Sequence, residues 1–147
     1  KAPFTGQLLP LAEAKDPVFA QGTMGQGVVI DPSEGKLVAP FDGTVSFLFP
    51  TKHAIGLVSD TGVELLIHVG LDTVELDGKG FTAHVKQGDS VKAGQLLLGV
   101  DLNVVKEAGY TTQTPVIITN SNDFQVDPVV ATKPVNAGET VVTVTSL

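Results

Sequence analysis

Glycine and proline interrupt this chain every few residues: sixteen glycines and nine prolines in 147 positions. Between them lie short runs rich in Val, Ile, Leu and Thr, at 27–30, 43–49, 54–59, 63–69, 95–100, 116–119 and 140–145. Short β-branched runs bounded by turn residues read as strands, and many of them at close spacing point to a sandwich or barrel. Only 103–108 carries a helical pattern, closed by Gly109 as a C-cap, with a shorter turn expected over 13–16 before Pro17. No composition break or low-complexity segment divides the chain. The expectation is therefore an all-β, single-domain fold over residues 1–147, a β-sandwich or barrel-sandwich hybrid with at most short helical turns.

An internal echo adds detail to that architecture. Residues 85–96 have the form x-x-x-G-D-x-V-x-x-G-x-L, and 135–141 repeat part of it as Val-Asn-Ala-Gly-Glu-Thr-Val. Gly-Asp and Gly-Glu ahead of a valine suit a tight turn feeding a strand, because glycine tolerates positive φ and a carboxylate bonds turn amides. The duplicated hairpin motif resembles the barrel-sandwich hairpins of biotin and lipoyl carriers. The lysine triplets that such carriers modify, Met-Lys-Met or Asp-Lys-Ala, are absent.

Composition then removes whole classes of function. The formal charge is −7, all nine basic residues are lysine, and there is no arginine. A nucleic-acid binder needs a basic face and usually the arginine fork, so nucleic acid is excluded as a partner. No run approaches the roughly 20 apolar residues of a membrane span, and the first residues lack a signal-peptide core, so a cytoplasmic location without membrane insertion is expected. Zero cysteines removes disulfides, thiolate metal sites and thiol nucleophiles together. Nitrogen chemistry must come from His53, His68 and His84.

In a strand over 63–69, Val63, Leu65, Ile67 and Val69 share one face, and Glu64, Leu66, His68 and Gly70 the other. His68 then sits on the less apolar face, with Leu66 on one side and a glycine on the other. It is either a reachable functional group or a half-buried histidine satisfied by a backbone carbonyl. On an extended backbone Thr51 and His53 lie on one side, roughly 7 Å apart. A hairpin centred between Asp60 and Thr61 sets 53 opposite 68 and brings the two imidazoles face to face. His84 lies in a Lys- and Gly-rich loop and reads as an ordinary exposed residue. The acidic run 72–77 follows His68; it is a solvated face, or Asp72 lies at the rim of the site, where a carboxylate favours imidazolium.

Residues 62–74, Gly-Val-Glu-Leu-Leu-Ile-His-Val-Gly-Leu-Asp-Thr-Val, resemble the phosphorylation-site signature of the glucose-family enzyme IIA domain. That domain belongs to the bacterial phosphoenolpyruvate-dependent sugar phosphotransferase system. Further ordered resemblances run through 25–32, 38–45, 51–54, 88–91 and 114–116. The resemblance implies that His68 accepts a phosphoryl group from the histidine-containing phosphocarrier protein. It passes the group to a cysteine on the IIB domain of a sugar permease. His53 is implied to lie beside it, stabilising the phosphate without being modified, and Thr51 to join the same hydrogen-bond network. Gln26 departs from the many relatives that carry an acidic residue there.

Phe41, Phe47, Phe49, Leu66, Val69 and Leu71, with Asp72, are the candidates for a partner-binding rim that keeps water from a phosphohistidine. For the phenylalanines the plain alternative is core. A second function class is a regulatory module that contacts other proteins through the same face according to phosphorylation. A third is zinc chemistry at His53 and His68; a catalytic zinc wants three protein ligands, and a partner's carboxylate would have to complete the site. No cofactor is required by the carrier reading. The start at Lys1 fits a domain cut from a longer, membrane-tethered permease.

Overall fold

The computed structural model describes residues 1–15, 17–22, 25–70, 73–129 and 131–146. Thirteen strands dominate them: β1 (Gly6–Pro10), β2 (Gln26–Pro32), β3 (Lys36–Val38), β4 (Gly43–Leu48), β5 (Ala54–Ser59), β6 (Glu64–His68), β7 (Phe81–Ala83), β8 (Ser90–Val91), β9 (Leu96–Val100), β10 (Thr114–Ile118), β11 (Phe124–Pro128), β12 (Lys133–Val135) and β13 (Val142–Ser146). Two short helices, α1 (Pro17–Ala20) and α2 (Leu102–Glu107), and three single 3₁₀ turns accompany them among the described residues. Asp101 caps α2 by accepting from the N–H groups of Asn103 and Val104. At its other end Gly109 stands at φ 88°, in the left-handed position expected of it. The turn expected over 13–16 forms slightly earlier, at Leu11–Glu13.

Every strand pair is antiparallel. The main sheet runs β12-β1-β2-β10-β6-β5-β4-β8, with β3-β9-β7 and β11-β13 as smaller sheets. All three contribute to one apolar cluster, which includes Leu8, Ile30, Leu37, Val45, Ile55, Leu57, Ile67, Leu98 and Val116 and takes Val126 and Val144 at its margin. The fold is thus the all-β sandwich expected from the punctuated sequence. The strands with no clear run of their own (β1, β3, β7, β8, β11 and β12) are two to five residues long; β1, β3, β11 and β12 carry Gly, Pro, Lys or Asp, and β7 and β8 are only three and two residues long. They are strands because their neighbours supply hydrogen-bond partners, not because of an intrinsic pattern.

The repeated turn motif adopts one geometry. Asp89 N–H donates to Lys86 O while Lys86 N–H donates to the Asp89 carboxylate at 3.0 Å. Glu139 and Asn136 make the same pair of bonds, also with a 3.0 Å carboxylate contact. The glycine at the third position stands at φ 94° in both, Gly88 and Gly138. This is the glycine-plus-carboxylate turn that the sequence echo called for.

The hairpin between β5 and β6 differs from expectation by one residue. Ala54 pairs with His68, Ile55 with Ile67 and Leu57 with Leu65. Its turn is a three-residue loop, 60–62, closed by Ser59 N–H to Val63 O, with Gly62 at φ 92°. An odd loop centres on Thr61 instead of between 60 and 61, so 54, not 53, faces 68. The two faces of β6 are as alternation required: Val63, Leu65, Ile67 and Val69 are buried, and Glu64, Leu66 and His68 are not fully so.

Candidate active site

His53 reaches His68 from outside the ladder. The segment 50–53 is a hairpin loop, bounded by Phe49 N–H to Ala54 O at 3.1 Å and tightened by Lys52 N–H to Phe49 O at 2.8 Å. Lys52 adopts φ 63°, a left-handed conformation uncommon outside glycine, and turns the chain so that His53 does not follow strand alternation. The extended backbone expected for 51–53 is therefore replaced by a turn. Its consequence is closer contact, with Thr51 Oγ1 2.5 Å from His53 Nδ1. His53 O accepts from Val69 N–H at 2.7 Å, tying the loop to the end of β6.

The imidazoles of His53 and His68 lie with ring centroids 5.0 Å apart, edge to face at 76°. His68 Nδ1 is 2.6 Å from Gly70 O. A carbonyl only accepts, so Nδ1 carries the proton and Nε2 of the neutral ring holds the free lone pair. The carbonyl contact foreseen as the unremarkable alternative for His68 is present, and it leaves one ring nitrogen as a nucleophile. His53 is 4% exposed. Burial, helped by the neighbouring charge of His68, pushes its pKa from 6.5 down to about 4, so it is neutral at pH 7.

A β-bulge sets the aromatic flank. Val45 pairs with Leu57 and Phe47 with Gly56, which leaves Ser46 as the extra residue. Plain alternation from buried Val45 would turn Phe47 into the core. The bulge turns it onto the outer face, where it is 45% exposed. Phe47 packs on Phe49 at 4.5 Å, Phe49 on His53 at 5.0 Å, and Phe19 on His68 at 5.5 Å. Phe47, Phe49, His53, His68 and Phe19 thus form a continuous file of rings.

The remaining rim candidates divide. Leu66 is half-buried on the His68 face of β6. Val69 is 1% exposed and belongs to the core, because it alternates with His68. Phe41 packs against the core cluster and lines a cavity of about 220 Å³ with Val63, Leu65 and Val116, on the other face of the sheet from His68. Leu71 and Asp72 lie outside the described residues. His84 is exposed, with Nε2 3.7 Å from the Cβ position of Gly99 on β9.

Residues 1–124 match the family model of the phosphoenolpyruvate-dependent sugar phosphotransferase system, EIIA 1. The chain belongs to that family. A curated relative, the PTS system beta-glucoside-specific EIIBCA component of Halalkalibacterium halodurans, is 49% identical over 138 residues. That alignment covers 94% of this chain and 22% of the relative, so the chain spans about a fifth of its length. Among solved structures, glucose permease IIA from Mycoplasma capricolum superposes with a TM-score of 0.87 at 39% identity, covering 96% of this chain and 91% of that one.

Two features of this EIIA domain escaped the sequence reading. Phe19, 7% exposed on α1, packs on Ile117 and lies against the ring of His68. Nothing in its sequence neighbourhood links it to residue 68, since only the packing of α1 on the outer face of β10 brings them together. Thr73 is fully buried and its hydroxyl donates to Val69 O at 2.6 Å. It stood in the signature without an assigned role. Among the described residues no three His, Asp or Glu side chains gather into a metal-binding group, and no helix is long and apolar enough to cross a membrane.

Proposed function

We propose that residues 1–147 act as one phosphoryl-carrying domain, with His68 as the carrier. The observation that carries this reading is the 2.6 Å contact of His68 Nδ1 with Gly70 O. It holds the proton on one nitrogen and leaves Nε2 as the nucleophile beside a second, neutral imidazole. In the forward step Nε2 attacks the phosphorus of a donor phosphohistidine on the histidine-containing phosphocarrier protein. The Nε2–P bond forms, the donor N–P bond breaks, and its electron pair returns to the donor ring. His68 keeps its Nδ1 proton throughout, and the Gly70 carbonyl offsets the positive charge that the phosphorylated ring then carries. In the onward step a cysteine thiolate of a permease IIB domain attacks phosphorus and the electron pair returns to Nε2. No proton has to move on His68 in either direction.

His53 serves the phosphoryl oxygens. With the Thr51 hydroxyl donating to Nδ1, His53 Nε2 carries a proton and donates to an oxygen of the transferred group. A neutral donor holds the group without the fixed cation of an arginine, which suits a site that must release what it binds. Leu66, Phe47, Phe49 and Phe19 supply an apolar border that limits hydrolysis. The IIB acceptor finds support in the EIIBCA composition of the Halalkalibacterium halodurans relative.

The relay uses no cofactor. The same two imidazoles offer a pair of nitrogen ligands to zinc, with a carboxylate of a bound partner to complete the set. Proteins that read the phosphorylation state would use this face too, and pull-downs with phosphorylated and unphosphorylated domain separate them from the relay partners. The decisive experiment is incubation with phosphoenolpyruvate, enzyme I and the phosphocarrier protein. Wild type takes up one acid-labile phosphate and His68→Ala none; uptake by His68→Ala would sink the assignment. His53→Gln is expected to accept phosphate but to pass it on at least about tenfold more slowly, a loss of about 1.4 kcal/mol of transition-state stabilisation.

A further inference from the structure

We infer that Thr73 is a positioning residue for the carrier histidine, acting through the peptide that precedes the one fixing its tautomer. The inference deepens the carrier reading and rests on it for its kinetic part only. Thr73 is 0% exposed, and its hydroxyl donates to Val69 O at 2.6 Å. The next carbonyl along the chain, that of Gly70, is the one that accepts from His68 Nδ1 at 2.6 Å. Val69 itself is anchored on its other side, its N–H donating to His53 O at 2.7 Å. The 69–70 backbone is thus held at both ends, by the loop that carries His53 and by Thr73.

Sterics at Gly70 tighten the arrangement. Gly70 stands at φ 72°, and a Cβ there would lie 2.6 Å from Thr73 Cγ2 and 2.8 Å from Thr111 O. The methyl of Thr73 therefore packs directly on the backbone whose carbonyl faces His68, while its hydroxyl orients the preceding one. Beyond Thr73 the chain also approaches the loop that carries the second histidine: a Cβ at Gly78 would lie 3.7 Å from Thr51 O. A β-branched residue with a hydroxyl meets both requirements, methyl against Gly70 and donor to Val69 O. Valine keeps only the first and serine only the second.

A hydroxyl contact of this kind controls which nitrogen of His68 holds the proton. Without it the Gly70 carbonyl is free to rotate away, and the Nε2–H tautomer, whose nucleophilic lone pair sits on the wrong nitrogen, becomes populated. The test is ¹⁵N NMR of the imidazoles in the unphosphorylated domain at a pH where His68 is neutral, together with the rate of phosphoryl uptake from the phosphocarrier protein. Wild type is expected to show a single Nδ1–H tautomer at His68. Thr73→Val is expected to show both tautomers and uptake about tenfold slower, and Thr73→Ser to restore the single tautomer and most of the rate. A Thr73→Val protein with one Nδ1–H tautomer overturns the inference, whether or not its rate falls. If valine prevents folding, Thr73→Ala, checked by the dispersion of remote amide signals, takes its place with the same two outcomes. The tautomer is read without any partner, so failure of wild type to take up phosphate would count against the carrier reading and leave the positioning result standing.

Discussion

Two imidazoles at 5.0 Å cannot both be protonated cheaply, and the structure settles which one yields. His53 is the buried member, and its pKa falls to about 4 against an unfolded value near 6.5. The unfolded chain therefore binds a proton between these values that the folded chain refuses. Folding stability is full above pH 6.5, falls as the pH drops towards 4, and levels off below that. The contribution is on the order of 3 kcal/mol. Urea denaturation at pH 7 and pH 4 is expected to show wild type losing about that much more than His53→Gln; equal losses would refute the burial account. At this scale the sequence was informative about identity but not about geometry. Thr51, His53 and His68 were legible as a cluster, whereas the left-handed turn at Lys52 that brings Thr51 Oγ1 to 2.5 Å from His53 was not. Lysine carries no signal for positive φ, and the closure of the 50–53 loop imposes it.

Among elements, the turns are where local chemistry decides most. Gly88 and Gly138 share φ 94°, and neither has any atom within 4 Å of a Cβ position. Alanine at either site meets no clash, so its cost is the left-handed backbone alone, about 1–2 kcal/mol. Gly27 is a different case: its Cβ would lie 1.9 Å from Val116 O, inside the β2–β10 ladder. Thermal denaturation is expected to give modest, similar losses for Gly88→Ala and Gly138→Ala, and Gly27→Ala is expected not to fold. Larger losses at 88 or 138 than at 27 would show that the turn geometry has been misread. The paired turns were readable because glycine and a carboxylate at fixed spacing act within four residues. The bulge at Ser46 was not readable. It has no residue signature here, and it exists because β4 must pair with β5 on one side while turning Phe47 and Phe49 towards His53.

Across the whole molecule the outer and inner faces of the main sheet carry different duties. Leu57 and Ile67 are 0% exposed in the shared core, and Leu57→Ala is expected to cost about 2–5 kcal/mol in global unfolding. Phe47, 45% exposed on the outer face, is expected to lose about 1 kcal/mol or less as Phe47→Ser while slowing phosphoryl uptake from the phosphocarrier protein. Chemical denaturation and uptake rates measured on both variants check the division. If Phe47→Ser transfers normally, the aromatic flank is not a docking surface. The outer face also explains why residues 116–118 of β10 read as an unbroken apolar run: Val116 and Ile118 face the core, and Ile117 is buried beneath Phe19 of α1.

The sequence alone determined the all-β class, the two faces of β6, the repeated turns and the adjacency of His53 and His68, together with a resemblance that the family match supports. Each of these rests on interactions spanning a few residues, or on residue types whose chemistry is the same wherever they sit. Tertiary structure decided the rest: the one-residue register shift that pairs 54 with 68, the packing of Phe41 against the core, and the approach of Phe19 to His68. Those outcomes depend on loop closure, ladder pairing and packing between segments up to about a hundred residues apart, such as Phe19 with Ile117. No local pattern encodes such contacts, because their energy is realised only when the three sheets close on one core.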